Sequence, residues 1–352
     1  MENPQCVSIS QYEVFRQLRF PMIVLVTFAH SYGKVEEDFS LLTSDWNTYE
    51  FLKLLVSQTL VKVAMPVFFI MSGYLFFANV DKWDVATYKK KILRRVKTLL
   101  IPYLIWNLLM AVKLKTFSMS MLWSYWDPAG RQVDWFGHEQ LMTAPANMPL
   151  WFLRDLMVVS LLTPIIYILV RKFGYWLMAL LTVLYLSGVF AFIPGLSAYA
   201  VYFFTLGAFL SIRKMDLTGT FKRFEWPAYG LSIIFAISML LTYHASVFSS
   251  LMLCFRITGS VAVFCLASRI LSTTDKRLPS LVCDSSYFIY LAHYVFFFSF
   301  IDTAFFALFG ISTISLSIHY LLCPLLKVAI LVCLYMMYKT FFKRISSPSS
   351  FI

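Results

Sequence analysis

The stretch that decides the fold is RFPMIVLVTFAH, residues 19–30. An arginine opens it, a histidine closes it, and the ten residues between them are almost all apolar. Long apolar runs recur from one end of the chain to the other. Of its 352 residues 60% are hydrophobic and 14% are charged, and Phe alone occurs 35 times. A soluble domain holds about 45–50% apolar and about 25% charged residues. The composition excludes an ordinary soluble domain and points to an all-α, polytopic integral membrane protein. No stretch is polar and long enough to make a separate soluble domain, so residues 1–352 are expected to form one integral domain.

A membrane-crossing helix needs about 20 mostly apolar residues. Ten segments meet this, at about 14–32, 51–78, 98–112, 149–170, 174–193, 197–212, 226–244, 249–270, 284–309 and 315–341. The third is short and is expected to extend back into the basic residues before it. The fifth and sixth are joined by IPGLS at 193–197, a Pro-Gly breaker. Short tails at 1–13 and 343–352 and a long loop at 113–148 complete the plan.

The net charge of +12 would suggest nucleic acid in a soluble protein. Here it orients the chain, because Lys and Arg concentrate in cytoplasmic loops. With the N-terminus cytoplasmic, 21 of the 30 basic residues fall on the cytoplasmic side and five on the other, with Lys62, Arg154, Arg256 and Lys327 inside spans. Both termini are therefore expected in the cytoplasm. Pro21 is placed in the first turn of the first helix, where proline is tolerated. No small-residue cleavage site follows the first run, so it reads as a retained helix. The six cysteines form no CxxC pair and read as free thiols, with no metal site expected.

Two outer loops mix acids with aromatics. Residues 33–50 hold Glu36, Glu37, Asp38, Asp45 and Glu50; residues 113–148 hold Trp123, Trp126, Trp135, Asp127, Asp134, His138 and Glu139. Indole faces stack on sugar rings and carboxylates accept hydroxyl hydrogen bonds, so the mixture suits carbohydrate. The plain alternative is an interfacial aromatic belt.

Arg19 and His30 are eleven residues apart, three helical turns plus about 20°, so both emerge on nearly one face with a rise of about 16 Å between them. One reading makes Arg19 a topological flank and His30 an interfacial histidine. The other makes the shared face line a polar path, with an anion gripped at the cytoplasmic end and proton chemistry further in. Ionisable groups inside membranes are functional candidates, and an imidazole suits base work because its ordinary pKa is about 6.5.

The R-x10-H pattern of Arg19 and His30 resembles the signature of the membrane acyltransferase family 3, multipass enzymes that acylate sugars. Four further elements follow in the family's order. PVFFIMSGYLF at 66–76 resembles its FFxxSG segment, and KKILRRVKTLLIPYLIW at 90–106 its basic stretch running into a third helix. PLWFLRDL at 149–156 resembles its WFL element, and SSYFIYLAH at 285–293 its late S-x-x-x-Y-x-x-H element. The match covers about 300 residues. It implies a membrane O-acyltransferase that takes an acyl group, by default acetyl from acetyl-CoA on the cytoplasmic side. The acceptor would be a hydroxyl of a cell-surface or lipid-linked carbohydrate. It also implies a bacterial cytoplasmic membrane, surrounding lipids as partners, and no role for nucleic acid. The competing class is a polytopic transporter or flippase of a glycan or small anionic solute, for which the chain lacks visible repeat symmetry.

The chemistry assigns candidates. His30 is the general base toward the acceptor hydroxyl, and Arg19 holds or orients the donor. Coenzyme A phosphates need cations, which Lys89, Lys90, Lys91, Arg94, Arg95 and Lys97 supply within nine residues; Lys91, Arg94, Arg95 and Lys97 are the donor-binding candidates, with Ser72 as a hydrogen-bond donor to the thioester. The alternative for the cluster is topology or anionic lipid, and for Ser72–Gly73 a small-residue packing patch. Trp151, Arg154, Tyr290 and His293 are candidates for the acceptor side or for supporting it, while Arg154 can instead simply pair with Asp155. Asp302 is available to Lys62, Arg256 or Lys327. His138, His244 and His319 look peripheral.

Overall fold

The computed structural model describes residues 10–31, 35–36, 39–41, 47–80, 82–114, 124–126, 132–134, 145–188, 196–198, 200–274, 276–296 and 299–342. These are helical apart from a three-residue antiparallel ladder, Ser124–Trp126 with Gln132–Asp134. The helices are α1 (Gln11–Ser31), α2 (Thr48–Phe77), α3 (Val85–Lys113), α4 (Met148–Leu161), α5 (Thr163–Phe173), α6 (Tyr175–Leu186) and α7 (Ala200–Ile212). They continue as α8 (Leu217–Lys222), α9 (Glu225–Leu241), α10 (Val247–Thr273), α11 (Ser280–Ala292), α12 (Ser299–Phe309) and α13 (Thr313–Phe342). Helices α2, α3, α10 and α13 are long and apolar enough to cross a membrane, and the bent pair α4–α5 makes a fifth candidate. Each of the ten expected segments contains helix. The IPGLS turn, both tails and most of 113–148, with Trp123, Trp135, Asp127, His138 and Glu139, lie outside the described residues.

Two compact units divide these elements. The first holds residues 1–67, 216–290 and 298–345; the second holds 68–215 and 291–297. In the first, α1 packs against residues 48–63 of α2, against α10 and against α13. Its apolar stripe, with Val14, Phe15, Leu18, Met22, Ile23 and Val26, is buried. Phe15 meets Phe264 of α10 edge-on at 5.9 Å. Gln17 grips the segment before α11 at both backbone groups of Leu278, accepting from its N–H at 2.8 Å and donating to its carbonyl at 3.3 Å.

In the second unit, α2 and α7 cross backbone to backbone. A Cβ on Gly73 would collide with the Phe204 carbonyl, and one on Gly207 with the Ile70 carbonyl. Gly73 is thus a packing residue, the bland half of the expectation for that dipeptide.

Several boundaries differ from the sequence reading, each for a local reason. Helix α1 begins ten residues before Pro21, so the proline lies inside it and not in its first turn. The Ser10 carbonyl accepts from Glu13 and Val14, which starts the helix early. The third span does extend back through the basic stretch, as one helix from Val85. The fourth is broken, with α4 and α5 meeting at 62°. Pro164 has no N–H for the Ser160 carbonyl, and the hydroxyl of Thr163 donates to that carbonyl instead, at 2.6 Å. The ninth is also broken: α11 stops at Ala292 and α12 starts at Ser299. In α2 the winding loosens to a π-helix over Lys53–Thr59 and tightens to a 3₁₀ turn over Leu60–Val63 before Pro66, whose missing N–H frees the Lys62 carbonyl.

Candidate active site

Arg19 and His30 lie on the single helix α1, as their spacing requires, and both are half-buried. Arg19 is within electrostatic reach of Asp284 on α11 and of Arg16. His30 occupies the last turn of α1, where the helix dipole favours an imidazolium once a proton has been taken. The same unit places two more cations in the middle of its long helices. Lys62 of α2, which hydrogen-bonds Gln58 at 3.3 Å, lies within electrostatic reach of Arg256 of α10, and Arg256 is 7% exposed. Neither pairs with Asp302.

Asp302 belongs to Lys327, whose ammonium bonds both carboxylate oxygens at 2.8 and 3.0 Å. His319 joins them through Nε2 at 3.0 Å from Asp302 Oδ1. His319 is 3% exposed, so placing it at the periphery is wrong. Its position on α13 one helical turn from Cys323 and two from Lys327 was readable in the sequence, but its acidic partner on α12 was not. Asp302, His319 and Cys323 bring possible ligand atoms within 4.8 Å of one another. The ammonium already occupies the carboxylate, so the group fits an ion-paired brace better than a metal.

In the second unit the basic stretch divides by helical phase. Lys91 and Arg95, one turn apart, reach over the Phe76 ring at 5.6 and 5.4 Å. Arg95 also donates to the Ser72 hydroxyl at 2.9 Å, so two of the donor-binding candidates meet. Arg94 and Lys97 point the other way, with Lys89, Lys90, Ala86 and Leu93, and line an open groove of about 490 Å³. Asp84 caps this helix by accepting from the Thr87 N–H at 2.8 Å, which holds its carboxyl below the usual carboxylate range.

Arg154 and Asp155 are buried and bonded to each other at 3.0–3.1 Å. Asp155 also accepts from the Ser197 N–H at 3.3 Å. This is the structural alternative for Arg154, not a group presented to an acceptor. Trp151 opens the α-helical part of α4, edge-on to Phe152. Tyr290 is buried on α11. His293 sits in the turn after that helix and not within a span, because α11 has ended at Ala292. Sequence reasoning missed Asn107 and Asn147, which are 1% and 0% exposed. The Asn147 N–H donates to Asn107 Oδ1 at 3.0 Å, and Asn147 Nδ2 donates to the Leu291 carbonyl at 3.3 Å. Glu50 and Lys53 likewise belong to α2, as a buried pair at 2.6 Å, not to an outer loop.

With this geometry in place, comparison with known proteins decides the family. The acyltransferase domain model of family 3 matches residues 15–338. The chain belongs to the acyltransferase 3 family. The match runs through both units and covers every candidate residue above. Among curated proteins, the succinoglycan biosynthesis protein ExoH of Rhizobium meliloti (strain 1021) is 26% identical over 166 residues, 44% of this chain. The alignment covers 42% of that relative, less than half its length. No solved structure matches the chain.

Proposed function

We propose that this chain is a ten-span O-acyltransferase of a bacterial cytoplasmic membrane, with both termini in the cytoplasm. It moves an acyl group from a coenzyme A thioester, acetyl-CoA being the simplest donor, to a hydroxyl of a cell-surface or lipid-linked carbohydrate. The observation that carries this reading is the placement of Arg19 and His30 on one helix of a chain whose family model runs from residue 15 to 338. The printed name of the partial relative, a protein of polysaccharide biosynthesis, supports a glycan acceptor.

In this reading His30 removes the proton from the acceptor hydroxyl as its oxygen attacks the thioester carbonyl. Arg19 holds the donor. The C–S bond breaks, and the thiolate takes up the proton. A positioned base of this kind supplies about 10²–10⁴-fold. Arg95, held against Ser72, and Lys91 beside it supply charge for the donor's phosphates; Arg94 and Lys97 contribute from the open groove. Trp151, Tyr290 and His293 serve the acceptor side.

The test is release of coenzyme A from acetyl-CoA by the purified chain, together with mass spectrometry of surface glycans from cells with and without the gene. One acyl unit should vanish from the glycan on deletion and should not return with His30→Ala or Arg19→Ala. Turnover and glycan mass that are indifferent to both substitutions would overturn the proposal.

A further inference from the structure

The final turn of α1, which carries His30, is held by hydroxyls from two other helices. The last four carbonyls of a helix have no N–H partner within it. In α1, which ends at Ser31, Phe28 contributes one of them. Its carbonyl accepts from the hydroxyl of Ser57, in the π-helical part of α2, at 3.1 Å. The Ser57 oxygen in turn lies 2.7 Å from the hydroxyl of Tyr320 on α13. A serine hydroxyl has one hydrogen and two acceptor sites. Because that hydrogen goes to Phe28, Tyr320 must be the donor to Ser57. The direction of the chain is therefore fixed: Tyr320 O–H to Ser57 O–H to the Phe28 carbonyl.

The chain is dry and braced. Tyr320 is 0% exposed and Ser57 is 3% exposed. The Tyr320 ring packs on the Phe28 ring at 5.6 Å and receives Tyr49 edge-on at 6.2 Å. A plain α-helix through 53–59 would point residue 57 elsewhere. A π-helical segment re-aims side chains locally and recurs at functional sites.

We propose that Tyr320 and Ser57 are positioning residues for His30, fixing the end of α1 so that its imidazole meets the acceptor hydroxyl. This rests on the reading of His30 as the base. Misplacing a catalytic group by about 1 Å can cost on the order of 10²-fold, whereas donor binding, assigned here to Arg19, Ser72 and the basic stretch, should not respond.

The test uses the full chain in a host lacking its own copy, with surface-glycan acylation read by mass spectrometry. Purified protein supplies the dissociation constant for acetyl-CoA and the unfolding temperature in detergent. Tyr320→Phe and Ser57→Ala are each expected to lower acylation roughly 10–100-fold with the acetyl-CoA constant unchanged. The double variant should be no worse than either single one, because both cut the same chain, and Ser57→Thr, which keeps a hydroxyl, should restore acylation. Wild-type acylation in Tyr320→Phe beside an inactive His30→Ala overturns the positioning proposal and leaves the base intact. Full acylation in His30→Ala overturns both. If Tyr320→Phe does not fold, the Ser57→Ala and Ser57→Thr pair decides: equal acylation by the two rejects the proposal.

Discussion

Replacing Arg154 with Met distinguishes a structural pair from an acceptor-binding arginine. Arg154 and Asp155 bury their side chains to 7% and 1% exposure and sit 3.0 Å apart. Asp155 has one further described tie, the Ser197 N–H at 3.3 Å. Arg154→Met leaves a carboxylate in an apolar setting with its strongest donor gone. Breaking such a pair from one side costs about 3–5 kcal/mol, a large part of the stability of an ordinary domain. Asp155→Asn should cost less, since an amide oxygen can still accept from Ser197. Replacing both with apolar residues of similar volume should recover most of the loss, because it removes the stranded charge along with its partner. The assay is thermal unfolding in detergent of the three variants, with thioester turnover normalised to folded protein. A strong fall in unfolding temperature for Arg154→Met, recovery in the double variant and unchanged turnover per folded molecule are expected. Unchanged stability, with turnover lost at saturating donor and restored by excess acceptor, would refute the reasoning and return Arg154 to the acceptor site.

Gly73→Ala should destabilise by about 1–3 kcal/mol, read as a lower unfolding temperature, because its Cβ collides with the Phe204 backbone and not with a flexible side chain. Arg95→Ala should weaken acetyl-CoA binding by about 1.5–3 kcal/mol, measured by titration calorimetry, and Ser72→Ala by less, since Arg95 would lose only its anchor. Asp302→Asn should lower the unfolding temperature more than Cys323→Ser does, because it strands the ammonium of Lys327. The cap at Asp84 has a lowered carboxyl pKa in the folded chain. Its contribution is therefore present above the ordinary value of about 3.9 and is lost as pH falls through the lower folded value. Amide exchange at Thr87 should accelerate in that acid window, and Asp84→Asn, which caps without titrating, should abolish the pH dependence.

Much of the architecture was legible because hydrophobic length and basic flanks are local properties. The apolar runs found helix in each of ten places, and the basic stretch at 89–97 was rightly joined to the helix after it. What failed was non-local or depended on a single proline. Pro164 marked a break whose angle depends on a neighbouring hydroxyl, and Pro21 marked no start because Ser10 begins the helix earlier. The basic cluster read as one unit, yet a helix turns about 100° per residue. Its phase sends Lys91 and Arg95 one way and Arg94 and Lys97 the other. His319 was dismissed because its acid, Asp302, is 17 residues away on another helix. Asn107 and Asn147, 40 residues apart, left no local pattern at all.

The uneven winding of α2 carries a consequence for insertions and deletions. A π-helical stretch over Lys53–Thr59 accommodates a surplus residue, and the 3₁₀ turn over Leu60–Val63 takes up part of the slack before the regular helix resumes. Removing one residue from 53–59 would let the segment relax into an even screw. Lys62 would then swing by about 100° around the axis, away from the side it now shares with Arg256, with no change in composition. Along this stretch chain length, more than side-chain identity, decides which groups confront each other, so a one-residue deletion should do more harm here than most substitutions.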